Sequence, residues 1–74
     1  MGMMEVLDPT GHTRHIWDAS NEAEVSAARA LYQSLTGSGY RAFHVKKNGD
    51  EGVRMDEFDP DAEKMILTPQ LRGG

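Results

Sequence analysis

Three groups of residues in this 74-residue sequence have types and spacing that bear on chemistry. The first is the terminal run Leu71-Arg72-Gly73-Gly74. Two adjacent glycines cost folding entropy and bury nothing, so a compact domain has no structural use for them there, and the backbone itself becomes the candidate working part. The second group is the acidic run Asp56, Glu57, Asp59, Asp61 and Glu63. Its alternation partly copies a calcium loop, but Lys64 stands where such a loop needs glycine at its sixth position if Asp59 is the first ligand. A solvated loop or an acidic partner surface is the better reading. The third group is His12, His15 and His44. His12 and His15 fall on opposite faces of any strand through 12–17 because their spacing is odd, and zinc needs three or four convergent ligands. No metal and no cofactor are expected.

Other chemistry finds little support. No nucleophile with a base, no carboxylate pair in an apolar setting and no phosphate loop stands out from chance, and "GSG" at 37–39 reads as a helix stop. A domain this small rarely builds a core and a deep pocket together. The chain is therefore expected not to be an enzyme. It has no cysteine, which removes disulfides, thiolate metal sites and a cysteine nucleophile and leaves packing as the source of stability. The net charge of −4 argues against a general nucleic-acid surface, which needs a basic excess. No apolar run is long enough to cross a bilayer, and "MGMMEVLD" lacks a signal-peptide pattern. No membrane partner is expected, and a cytoplasmic location is the reading. Val6 stands where a myristoylation motif at Gly2 would need Ser or Thr.

These residues must be positioned by a small number of elements. With 38% hydrophobic and 27% charged residues the composition is that of an ordinary globular domain, and the length suits one domain with a small core. "MMEVLDPTGHTRHIWD" places Asp8, Pro9, Thr10 and Gly11 between two apolar-containing runs, the chemistry of a turn. A hairpin with strands near 3–7 and 12–17 follows. In the second strand Ile16 and Trp17 point opposite ways, so its buried face is left open, although Trp17 suits the core better than an interface.

Val25, Ala28, Leu31, Tyr32 and Leu35 recur at helical spacing and predict a helix near 21–36. Ser20 or Asn21 can cap its start, Glu22 and Glu24 suit its positive end, and Gly37 or Gly39 suits its stop. Asn48-Gly49 signals a second hairpin, with Phe43 and Val45 on one strand and Val53 and Met55 on the other as core candidates. Met65-Ile66-Leu67 reads as a short strand ending near Pro69, and it, like Met3 and Met4, reads as sheet core or, in part, an adaptable binding face. The order is β-β-α-β-β-β, an α+β roll in which one helix packs across a four- or five-stranded mixed sheet.

That order, with "PTGHT" at 9–13 as a first hairpin turn and "LRGG" at 71–74, resembles the ubiquitin-like β-grasp family over nearly the whole chain. The resemblance implies a single β-grasp domain over 1–70 and a flexible tail over 71–74. It further implies a protein modifier or sulfur carrier whose terminal carboxylate is adenylated by an activating enzyme, then passed to a thiol and an amine or converted to a thiocarboxylate. Gly73 and Gly74 would be the site of conjugation, since an adenylating pocket admits a narrow backbone that glycine does not obstruct. Leu71 and Arg72 would be recognised by the activating enzyme. Lys46, Lys47 and Lys64 could accept chains, though nothing singles them out. Pro69 and Gln70 depart from the more regular strand of the family, and the 56–63 loop is shorter than its counterpart. The second reading is a small structural or adaptor protein, of the kind a phage or mobile element encodes. It would bind a protein partner through its sheet, a strand edge or its acidic side, and would need no free Gly74.

Overall fold

The turn at Asp8–Gly11 closes the first hairpin in a computed structural model that describes residues 1–45 and 52–69. Strands β1 (Gly2–Asp8) and β2 (Gly11–Trp17) pair antiparallel from Gly2↔Trp17 to Asp8↔Gly11. Asp8 Oδ1 accepts from the Thr10 backbone N–H at 2.8 Å and from the Thr10 hydroxyl, while Gly11 sits at φ 138°, a conformation that L side chains rarely adopt. Proline, threonine and glycine here are thus a turn in which each residue has a part.

Helix α1 (Glu22–Gly37) begins one residue later and ends one residue later than the apolar stripe suggests. Asn21 caps it, its side chain accepting from the N–H groups of Ala23 and Glu24, and Glu24 reaches back to the Asp18 N–H at 3.1 Å. Ser38 closes the C-terminal turn and Gly39, at φ 101°, redirects the chain.

Three strands complete the sheet: β3 (Tyr40–His44), β4 (Val53–Met55) and β5 (Lys64–Pro69). The strands lie in the order β2-β1-β5-β3-β4, with β5 parallel to β1 and antiparallel to β3. The fold is α+β, one helix against a five-stranded mixed sheet. The second hairpin pairs Ala42↔Met55, Phe43↔Arg54 and His44↔Val53, a register centred between Asn48 and Gly49, which themselves lie outside the described residues.

The helix covers the face carrying Met4, Val6, Trp17, Ala42, Met65 and Leu67, and contributes Ala28 and Tyr32 to the same core. Val25, Leu31, Leu35, Tyr40, Met55 and Phe58 pack around it. Trp17 is 1% exposed and Ile16 58% exposed, which decides the face that the sequence left open.

Two expectations about the strands need correction. Of the four second-hairpin core candidates only Met55 packs on the core; Phe43 and Val45 belong to the other parity, and Val53 is exposed. Pairing decides this, because Ala42 lies opposite fully buried Leu67, so Phe43, opposite Ile66, points away from the helix. The Met65–Leu67 run likewise splits, Met65 and Leu67 going to the core and Ile66 to the outer face. It is a central strand, and Pro69 ends it opposite Tyr40, beyond the last residue that β1 pairs.

Candidate functional site

The four terminal residues Leu71, Arg72, Gly73 and Gly74 lie outside the described residues, as do Lys46 and Lys47. What is described is the end of β5 at Pro69. β5 is held between β1 and β3, so the chain reaches Pro69 from the middle of the sheet rather than from a free edge. An open, largely apolar depression at this end is bordered by Leu7, Asp8, Pro9, Thr68 and Pro69, which brings the first hairpin turn beside Pro69. The hydroxyl and N–H of Thr10 hold the Asp8 carboxyl below its usual range, so the turn keeps a negative charge there.

The acidic residues sit elsewhere, in the segment between β4 and β5. Asp56, Glu57, Asp59, Asp61 and Glu63 are all exposed. The segment is pinned by its apolar residues: Phe58 lies with its ring centre 5.3 Å from Trp17 and 5.7 Å from Tyr32, under the Arg29 guanidinium at 5.6 Å. Trp17 Nε1 donates to the Pro60 carbonyl at 3.0 Å, and Ala62 is buried. Asp56 and Glu57 border a cleft with Arg29, Tyr32, Gln33 and Thr36. Burial first, then these two carboxylates, push the Tyr32 phenol up. The acids are therefore presented outward from a fixed scaffold on the helix side of the molecule.

His12 and His15 lie on opposite faces of β2, paired with Leu7 and Met4 respectively, as their odd spacing requires. Among the described residues no three His, Asp or Glu side chains gather as a metal site would need. Among the described residues no helix is long and apolar enough to cross a membrane.

The sequence reading named the sheet as a possible binding surface but did not assign the residues of its outer face. Strand alternation places Met3, Glu5 and Leu7 of β1, His12, Arg14 and Ile16 of β2, Arg41 and Phe43 of β3, Arg54 of β4, and Lys64, Ile66 and Thr68 of β5 on this face. No other described element is layered over it. Among the described residues Glu5 is its one carboxylate, held by Arg14 at 3.2 Å and Lys64 at 3.9 Å. The period-two pattern Met3-Glu5-Leu7 was a signal for this face, but its partners on β3 and β4 are visible only once the register is known.

Compared with known proteins, the chain matches no family model, no curated protein and no solved structure. The candidate sites therefore rest on their own geometry: the end of a central strand at Pro69, an acidic scaffold on the helix side, and a basic and apolar outer sheet face.

Proposed function

We propose that the chain is a ubiquitin-like β-grasp modifier or carrier, activated at Gly74 by a partner adenylating enzyme and not itself an enzyme. The observation that carries this reading is the position of β5. A central strand is anchored on both sides, so a partner can pull on residues 70–74 without peeling an edge from the sheet. The hairpin, the helix against the sheet, the second hairpin and the late strand agree with the element order of that family.

The remaining residues, Gln70 to Gly74, span at most about 17 Å beyond Pro69 when extended. That suits a partner that takes Leu71 and Arg72 near the sheet end and threads the two glycines into a narrow pocket. The Gly74 carboxylate would attack the α-phosphorus of ATP, releasing pyrophosphate. The resulting acyl adenylate would then be passed to a sulfur nucleophile with loss of AMP.

The test is intact-mass analysis after incubation with ATP and an adenylating enzyme encoded beside the gene, for the full chain and for a Gly74 deletion. A covalent adenylate, thioester or thiocarboxylate on the full chain alone is the expected result. Equal behaviour of both chains, with no adduct on either, ends this reading in favour of an adaptor. What favours that second reading is the uncovered sheet face.

A further inference from the structure

We propose that the cleft between the C-terminal half of α1 and the residues just after β4 binds an alkylammonium ion, carried by a small diamine or by a lysine side chain. Helical spacing builds one wall: Arg29, Tyr32, Gln33 and Thr36 stand at i, i+3, i+4 and i+7 and share a face. The other wall is Asp56 and Glu57, which follow β4 and are held against the helix by the inward ring of Phe58. The space between them is about 450 Å³, within the range of small-ligand clefts.

Tyr32 separates this cleft from an ordinary acidic surface. The residue is 3% exposed, yet its hydroxyl has no hydrogen-bond partner among the described residues. No polar side-chain atom among them is both sealed from solvent and unpaired, so the hydroxyl opens into the cleft that Tyr32 lines. A buried tyrosine hydroxyl ordinarily finds a partner, and here that position is open to a ligand. The surrounding groups choose the ligand's charge. Asp56 and Glu57 join no ion pair among the described residues, and Arg29, the cation bordering the cleft, lies over the Phe58 ring at 5.6 Å instead. The Thr36 hydroxyl donates to the Tyr32 and Gln33 carbonyls at 2.9 and 3.3 Å, which leaves its oxygen to accept. Two carboxylates, a phenol and a hydroxyl oxygen thus border one space as acceptors, which suits a cation with several N–H donors. An anion would face both carboxylates. A divalent metal would lack a third protein ligand, since no three such groups gather among the described residues. Phe58 offers an apolar side for the methylenes of an alkyl chain.

The test is amide chemical-shift titration of the full chain, at constant ionic strength, with putrescine, Nα-acetyl-lysine amide, butanediol and magnesium chloride. Both amines are expected to shift Arg29, Tyr32, Gln33, Asp56 and Glu57 with millimolar affinity, and the diol to shift none of them. Tyr32→Phe removes only the hydroxyl and is expected to weaken amine binding about threefold with the fold intact. Asp56→Asn with Glu57→Gln is expected to weaken it by about tenfold or more. Asp61→Asn with Glu63→Gln removes the same charge outside the cleft and is expected to change it by less than about twofold. Tighter binding of putrescine assigns the cleft to free amines, and tighter binding of the lysine derivative assigns it to a lysine of a partner protein; both orders sustain the proposal. Equal shifts from the diol, tighter binding of magnesium, full affinity in Tyr32→Phe, or no shift in the cleft at tens of millimolar amine overturns it. A chain lacking Gly74 is expected to bind like the full chain, so this test and the adenylation test can fail independently.

Discussion

The two faces of the sheet share every backbone hydrogen bond and differ in what covers them. On the helix side, Met4, Met65 and Leu67 have no exposure, Trp17 has 1%, and the strands, α1 and the 56–63 segment close over one another. On the outer side the same strands present Ile16, Met3, Phe43 and Ile66 with arginines around them, and no described element lies above. One face therefore holds the fold together, while the other is available for work. Charge follows much the same division, the carboxylates of the 56–63 segment facing out on the helix side and Arg14, Arg41 and Arg54 on the opposite side.

The strongest way to break this contrast is to empty the covered face. Trp17→Ala removes the ring that meets Phe58, donates to the Pro60 carbonyl and lies against Gly2. The expected loss is about 3–5 kcal/mol. That is comparable with the whole stability of a domain this size, roughly 4–11 kcal/mol. Urea unfolding should show a strongly lowered midpoint, with the chain largely unfolded in buffer if its stability lies at the low end of that range. A folded variant with a loss below about 1 kcal/mol would mean that the tryptophan is not the keystone of this core.

A smaller insult from the opposite direction is Gly2→Ala. A Cβ at Gly2 would stand 2.2 Å from two atoms of the Trp17 ring, which its Pro60 hydrogen bond and Phe58 contact keep from moving aside. Overpacking of this kind is expected to cost about 1–3 kcal/mol, read as a lower urea midpoint with an unchanged slope. Gly2 is thus a packing residue of β1.

These sites show what the sequence made legible. The Asp8–Gly11 turn, the α1 stripe and the element order depend on local chemistry, and each is found within a residue or two of where the pattern put it. The buried parity of β2 and β3 depends on distant partners. Trp17 is chosen over Ile16 because Gly2 leaves room for its ring and Phe58 meets it there, and Ala42 over Phe43 because Leu67 lies opposite. The acidic residues could be read as exposed from charge alone, whereas the inward anchors Phe58 and Ala62 could not. The arginines of the outer face come from three different strands, and single-strand patterning could not unite them.

The covered face also has its own pH signature. Burial and the nearby Asp56 and Glu57 keep the Tyr32 phenol protonated above its ordinary value of 10.0. A raised folded value means that this contribution is complete below the unfolded value and is lost as pH climbs through the folded one. Stability should therefore fall on the alkaline side, and Tyr32→Phe should flatten that fall while leaving the neutral-pH midpoint nearly in place. An unchanged alkaline profile in the phenylalanine variant would remove Tyr32 from the covered face's energetics.

The smallest expected effect lies on the outer face. Ile16→Thr replaces a side chain that is 58% exposed with one equally at home in a strand, so stability should change by no more than about 0.5 kcal/mol. Under the adaptor reading its consequence should appear in partner binding, because Ile16 stands beside Met3 on the uncovered face. The contrast between the faces then becomes one measurement on one variant. Unchanged unfolding with weakened partner binding marks a surface kept apolar for a partner. A loss of stability above about 1 kcal/mol would show that something already covers Ile16 in solution, and the outer face would have to be counted with the core.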